Sequence, residues 1–405
     1  MSRHTVNTEC SRPDKIPPGL LFALLAALSA VFLTEGCNKD EPPCTTCPPP
    51  QPTTCSYPPG NRNFTWRLDT VAWFPSTVGG VWASSDSDAY LMGHLVDGRP
   101  PYTLRVGRHW NGRIWEDDIN GTWGFNGDIQ ISPRNDLTGD DRMMVAVGWY
   151  GISTTEYAGV AEFDNRTKRW TSYQFSTVGE LRSIWTDGNG FFVAAGDNGM
   201  IYTKDGYSAA WVYSQAPTSF NFWRIVGISK DELYAGAGFS PPGGLLYQQI
   251  WRFAGGMWTK LLDNQDTSGT PIQIPEAGHE VTDLAASRCS ITDSLRLYVT
   301  GRACFEFASR GDSLTFVKTP LFLPGTSYLW GRIFLFSPND YWVTRSEYHM
   351  YHWNGTDLQK MEPVDELPYG QLWGSTICIN RCQSGKTWLV LEMGSQVYAV
   401  LQGVP

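Results

Sequence analysis

Two histidines stand in the same short phrase, His109-Trp110-Asn111-Gly112 and His352-Trp353-Asn354-Gly355. An imidazole can shuttle a proton or ligate a metal near neutral pH. A catalytic imidazole is normally unique within a fold, however, so a phrase that recurs reads as a repeated structural position. Glycoside hydrolysis would need two carboxylates flanking one bond, or a Tyr-Glu pair with an arginine cluster. The chain has the residue types, but Asp187, Asp231 and Asp340 sit at recurring turns and no spacing singles out a pair. Asn111-Gly112, Asp205-Gly206 and Asn354-Gly355 are turn formers, because Asn, Asp and Gly tolerate tight or left-handed backbone. Cys44-Thr45-Thr46-Cys47 has the spacing of half a zinc site and lacks a second ligand pair. Phosphate-cradling glycine motifs and a Gly-x-Ser-x-Gly nucleophile elbow are missing. No catalytic residue, metal or cofactor is therefore expected.

The cysteines suggest export chemistry. Gly19–Leu33 is an uncharged apolar run preceded by Arg3, Arg12 and Lys15; it is shorter than the roughly 20 residues that span a bilayer and matches an export signal. Thr34-Glu35-Gly36-Cys37 follows and resembles the lipobox of bacterial lipoproteins, which implies acylation of Cys37. Thr34 and Glu35 depart from that pattern; a retained anchor and ordinary cleavage are the alternatives. Residues 1–36 are thus read as a signal peptide and 37–60, rich in Pro and Cys, as a stalk whose prolines deny it helix and ladder hydrogen bonds. In an exported protein disulfides can form, and the expected pairs are Cys289 with Cys304 and Cys378 with Cys382.

What remains, 61–405, must supply the fold. Lys and Arg total 31 against 40 Asp and Glu, a net charge of -9 without basic clusters, which excludes a nucleic-acid surface on electrostatic grounds. Eighteen Trp, eighteen Tyr, nineteen Phe and forty-one Gly describe short strands and tight turns. The strongest pattern is a unit that recurs about every fifty residues. Its second strand ends in turn near Gly93, Gly148, Gly196, Gly236, Gly301, Thr344 and Leu391. The expectation is an all-β propeller of seven four-stranded antiparallel blades, with six or eight as alternatives. The last copy runs out of chain after three strands, and residues 63–69, which alternate apolar and polar side chains, are expected to complete it and close the ring.

Ser84–Gly93 with His109–Gly112, and Ser337–Thr344 with His352–Gly355, resemble the blades of exported bacterial propeller repeat proteins. Thr203–Ser208 before Trp211, and Ser309–Phe316, are distantly similar to the Asp-box turns of sialidase-like propellers, which lie away from the catalytic centre and hold hairpins. The resemblance implies fold rather than chemistry. The functional expectation is a binding or scaffold module, monomeric, held at a bacterial envelope by its N-terminal lipid or anchor and facing the periplasm or the exterior. Its partner would be an envelope or extracellular protein or glycan, contacted through inserts at His94–Arg108, Asn120–Asp141 and Leu262–His279, with Trp123, Phe125 and Trp149 as candidate aromatic contacts. The alternative is an exported carbohydrate-active enzyme.

Overall fold

The computed structural model describes residues 56–405 except 97–103, 118–128, 131–136, 141, 153–154, 168, 240–246, 265–280, 290–291, 302–303, 311–312, 318–329, 346–349, 362–375, 382–383 and 394–396. Residues 1–36, read from sequence as a signal peptide, Cys37 and most of 37–60, read as a stalk, lie outside these residues. Seven antiparallel four-stranded blades form a β-propeller, each starting at its innermost strand. Blade 3 is the plainest: Leu181–Thr186, Phe191–Gly196, Met200–Asp205 and Val212–Gln215 pair in sequence order. Blades 4, 5 and 6 begin with Asn221–Ser229, Val281–Arg288 and Trp330–Ser337 and repeat that order.

Ring closure follows the expectation, with a longer strand. Thr65–Ser85 is continuous and serves two blades. Its first part pairs with Val397–Val404, from Thr65 opposite Val404 to Ala72 opposite Tyr398, as the outer strand of blade 7. Its second part pairs with Asp88–Val96 as the innermost strand of blade 1. One uninterrupted backbone therefore joins the first and last blades and leaves no open edge between them.

Blade 2 departs from the sequence reading. Its first detected strand, Met143–Ile152, is the second of the blade. The innermost position is filled by Ile129–Gln130 and Leu137–Gly139, both paired to Met143–Ile152. The segment expected as an insert, Asn120–Asp141, thus contains the strands Ile129–Gln130 and Leu137–Gly139, each too short to show a period of two. His94–Arg108 likewise loses Leu104–Arg108 to a strand that runs to Trp110, and Leu262–His279 begins only after a strand ending at Asp263.

Apolar side chains are buried between neighbouring blades. Val145, Val160 and Val147 of blade 2 pack with Phe192, Ala194 and Tyr202 of blade 3, and Trp110 of blade 1 meets Trp388 of blade 7 at 5.8 Å between rings. Bulges in the innermost strands release backbone N–H groups, and the preceding blade satisfies them. Ser183 Oγ accepts from Ile225 N at 3.1 Å, and Asp283 Oδ2 accepts from Ile333 N at 2.9 Å. Buried donors need such partners, because an unmet one costs about 1–3 kcal/mol.

Candidate functional site

The ends of the ring have different architectures. At one end every connection between paired strands is six residues or fewer. At the other, strands stop at connections that include 97–103, 118–128, 240–246, 265–280, 318–329 and 362–375, beside short links such as Gly179–Glu180, 302–303, 346–349 and 394–396. Long connections on a rigid frame are where specific contacts can vary without disturbing the core.

Side chains at the tight-turn end are engaged in holding it. Asn111 Oδ1 accepts from Arg113 N and Ile114 N, each at 3.0 Å, and Asn354 Oδ1 accepts from Thr356 N and Asp357 N. Gly112 and Gly355, at φ +91 and +90, supply the left-handed step. Asp187 Oδ1 accepts from Asn189 N and Phe191 N, and Asp231 occupies a two-residue turn. The two histidines are equivalent in structure: His109 Nε2 lies 2.7 Å from Asp88 Oδ1 and His352 Nε2 lies 2.8 Å from Asp340 Oδ1. Each ring stacks on the second strand of its own blade, His109 on Tyr90 and His352 on Trp342. Burial drives the His352 pKa below its ordinary value, so this imidazole is neutral at pH 7.

The stretch around Asp205 clasps two blades. Lys204, 2% exposed, reaches Glu162 of blade 2 at 3.1 Å and donates to Ala209 O at 2.8 Å. Trp211 Nε1 donates to Glu162 Oε1 at 2.6 Å. Lys204 and Trp211 thereby tie the outer hairpin of blade 3 to blade 2.

Near the axis at the long-connection end, carboxylates are occupied by arginines. Arg182 reaches Asp197 at 2.8 Å and Glu180 at 3.1 Å; these two carboxylates outweigh burial and keep the guanidinium charged. Arg224 Nε lies 3.1 Å from Asp283 Oδ1, and Asp283 also accepts from Leu284 N and Ile333 N. Sequence reading missed this belt. The available signal was a recurring arginine at one register, in Leu181-Arg182, Trp223-Arg224 and Gly331-Arg332. Among the described residues no group of three His, Cys, Asp or Glu could hold a metal ion.

Of the expected aromatic contacts, Trp149 is half-buried on the second strand of blade 2, opposite Gln130 and Ala158; Trp123 and Phe125 lie outside the described residues. The expected Cys289–Cys304 bridge does not form. Cys304 is a buried thiol, whose pKa burial pushes up, whereas Cys289 is disulfide-bonded elsewhere. The reason is geometric: Cys289 follows Arg288, which pairs with Leu295, while Cys304 pairs with Thr300 at the opposite end of the same strand. About 17 Å of strand separates those positions, far beyond the roughly 7 Å Cα separation a disulfide tolerates. Cys378 lies in the innermost strand of blade 7; Cys382 is outside the described residues.

No protein-family model matches the chain, and no curated protein does. Similar solved structures exist. "YCF48 bound to D1 peptide" superposes with a TM-score of 0.54 at 14% identity, covering 86% of this chain and 97% of that one. "YCF48 from Cyanidioschyzon merolae" gives 0.50 at 13% identity, covering 84% of this chain and 98% of that one. At such identities the likeness establishes the β-propeller fold alone.

Proposed function

We propose that this protein is a binding module of the bacterial envelope, tethered through its N-terminus, which holds a segment of another exported protein at the long-connection end of the ring. The observation that carries this reading is the asymmetry of the two ends. Side chains at the tight-turn end are used in turns, and the axial carboxylates at the other end are neutralised by arginine. The connections at 97–103, 118–128, 240–246, 265–280, 302–303, 318–329, 346–349, 362–375 and 394–396 are therefore the part of the sequence left to specify a partner.

Those connections contain ten Asp or Glu against three Arg or Lys, and Trp123, Phe125, Tyr328, Tyr369 and Trp373 are among their aromatics. An acidic, aromatic and proline-rich set suits an extended polypeptide with basic residues, which opposite charge would steer toward it. The likeness to a propeller solved with a peptide supports a protein partner over a glycan. Tethering rests on the apolar run at Gly19–Leu33 and on Cys37, read as the acylated residue. Tyr57 and Arg62 bond Asn339 and Asp357 at the tight-turn end, away from those connections.

The test is a variant in which 265–280 and 362–375 are replaced by short Gly-Ser links. It should fold with the parent's circular dichroism and lose the partner that the parent retains from solubilised envelope. Equal retention by parent and variant would overturn the assignment of the binding end.

A further inference from the structure

The outer strand of blade 3, Val212–Gln215, is exposed at all four residues and pairs on one side only, with Met200–Asp205. The ladder fixes which of its backbone groups face out. In the register that sets Met200 opposite Gln215, Gly199 lies opposite Ala216, and Ala216 N donates to Gly199 O at 3.0 Å. Hydrogen-bonded pairs alternate along an antiparallel ladder, so Ser214 and Val212 also bond inward, while Tyr213 and Gln215 turn N–H and C=O away from the blade. On the other side of Met200–Asp205, Gly206 N donates to Gly190 O at 3.0 Å, which requires the same alternation.

Such an edge is a template for another strand, and charged side chains are a common guard against pairing. The outer strands of blades 1, 2, 4, 6 and 7 each carry at least one, such as Lys260 in blade 4 and Arg67 in blade 7. Those of blades 3 and 5 carry none. In blade 3 two of the four residues are apolar and open to solvent, Val212 at 61% and Tyr213 at 47% exposure.

Four residues are far fewer than the roughly 20–30 a side of a stable dimer interface, so a short extended segment fits this edge better than a second copy of the chain. Charge sets the segment's direction. The strand ends at the long-connection end of the ring, where Gln215 Nε2 donates to Asn198 O. Asp197, next to Asn198, and Glu180 hold Arg182 at 2.8 and 3.1 Å. Glu156, exposed and bonded through its carbonyl to Gly179 N at 3.0 Å, is a third carboxylate acting on that guanidinium. Three carboxylates thus share one cation at the mouth of the edge.

We propose that this edge takes up an extended segment of the partner as a fifth, antiparallel strand of blade 3, with a Lys or Arg at the segment's N-terminal end set against Glu156, Glu180 and Asp197. An antiparallel segment enters at the long-connection end, which places its N-terminus beside these carboxylates. Main-chain bonds to Tyr213 and Gln215 supply affinity, and apolar side chains at alternate positions cover Val212 and Tyr213. The proposal rests on the binding reading above and gives the partner's segment a place on blade 3.

The test titrates detergent-solubilised full-length protein with the labelled peptide acetyl-Lys-Val-Thr-Val-Thr-Val and with its counterpart carrying Glu for Lys. The Lys peptide should bind at least about tenfold more tightly. Residue-resolved hydrogen exchange should slow at Tyr213 and Gln215 and stay unchanged at Val212 and Ser214. Tyr213→Pro removes an outward N–H and leaves the inward bonds in place, so it should abolish binding; Glu156→Gln, at an exposed position, should shrink the preference for Lys. No binding of either peptide at about 1 mM, equal binding of the two, or binding without slowed exchange at Tyr213 and Gln215 would overturn the proposal. Protein with 265–280 and 362–375 replaced should bind the peptide as the parent does, so failure of this edge and failure of the binding-end reading are distinguishable.

Discussion

Asp340 Oδ1 accepts from His352 Nε2 across 2.8 Å, and this pair joins the floor of blade 6 to blade 7 and to the segment that precedes the closing strand. Arg381 of blade 7 bonds the other Asp340 oxygen, and Arg62, just before the closing strand, bonds the His352 carbonyl. Although burial opposes it, His352 and Arg381 hold the Asp340 carboxyl below its ordinary pKa.

Stability should therefore fall as the medium is acidified. The unfolded chain takes a proton on His352 as pH drops through its ordinary value of 6.5, and the folded chain resists, so stability declines progressively below that point. Asp340 adds a second loss at lower pH, as the medium passes through its depressed folded pKa. His352→Gln should flatten the first decline and cost about 1–3 kcal/mol at neutral pH by disturbing Asp340. Thermal melts between about pH 7 and 5 test this; an unchanged slope in the variant would contradict it.

Asp283 serves Arg224, Leu284 N and Ile333 N together while 3% exposed. Asp283→Ala removes the carboxylate beside the half-buried Arg224 and leaves two buried backbone donors without this acceptor, so a loss of about 2–4 kcal/mol is expected in urea unfolding. Asp283→Asn keeps acceptor capacity and should lose less. Equal losses would show that packing, rather than these bonds, sets the cost.

Gly403 lies against the face of Trp66, where an added Cβ would meet the ring at 2.5 Å. Gly403→Ala should therefore force the closing strand outward and destabilise the ring by about 1–3 kcal/mol. The gain of hydrogen exchange should concentrate in residues 65–72 and 397–404. Uniform exchange across all blades would argue that closure is not the weak point.

Cys304 is 1% exposed and burial raises its pKa. In native conditions its thiol should resist iodoacetamide, with labelling appearing only as the protein unfolds. Rapid labelling of the folded chain would contradict the packing between blades 5 and 6.

The repeat was legible because each blade restates the same constraint. Asn354-Gly355 predicted a turn that the structure closes through Asn354 Oδ1, and the leftover strand expected at 63–69 stands at 65–72, paired with Tyr398–Val404. Blade 2 was harder to read because its innermost position is filled by Ile129–Gln130 and Leu137–Gly139, neither of which is long enough to show alternation. The Cys289–Cys304 expectation failed because flanking a strand places two residues at opposite ends of it. The Arg182–Asp197 and Arg224–Asp283 pairs depend on neighbouring strands whose register sequence alone does not set.

In the proposed function the long-connection end of the ring recognises a partner and the tight-turn end does not. Photo-crosslinking amino acids placed singly in 97–103, 265–280 and 362–375, and at Asp187, Gly255 and Asn354 as the opposite end, would test it in intact cells. Crosslinks to one common protein from the first set and none from the second are predicted. The same protein captured from both ends, or only from the tight turns, would contradict it.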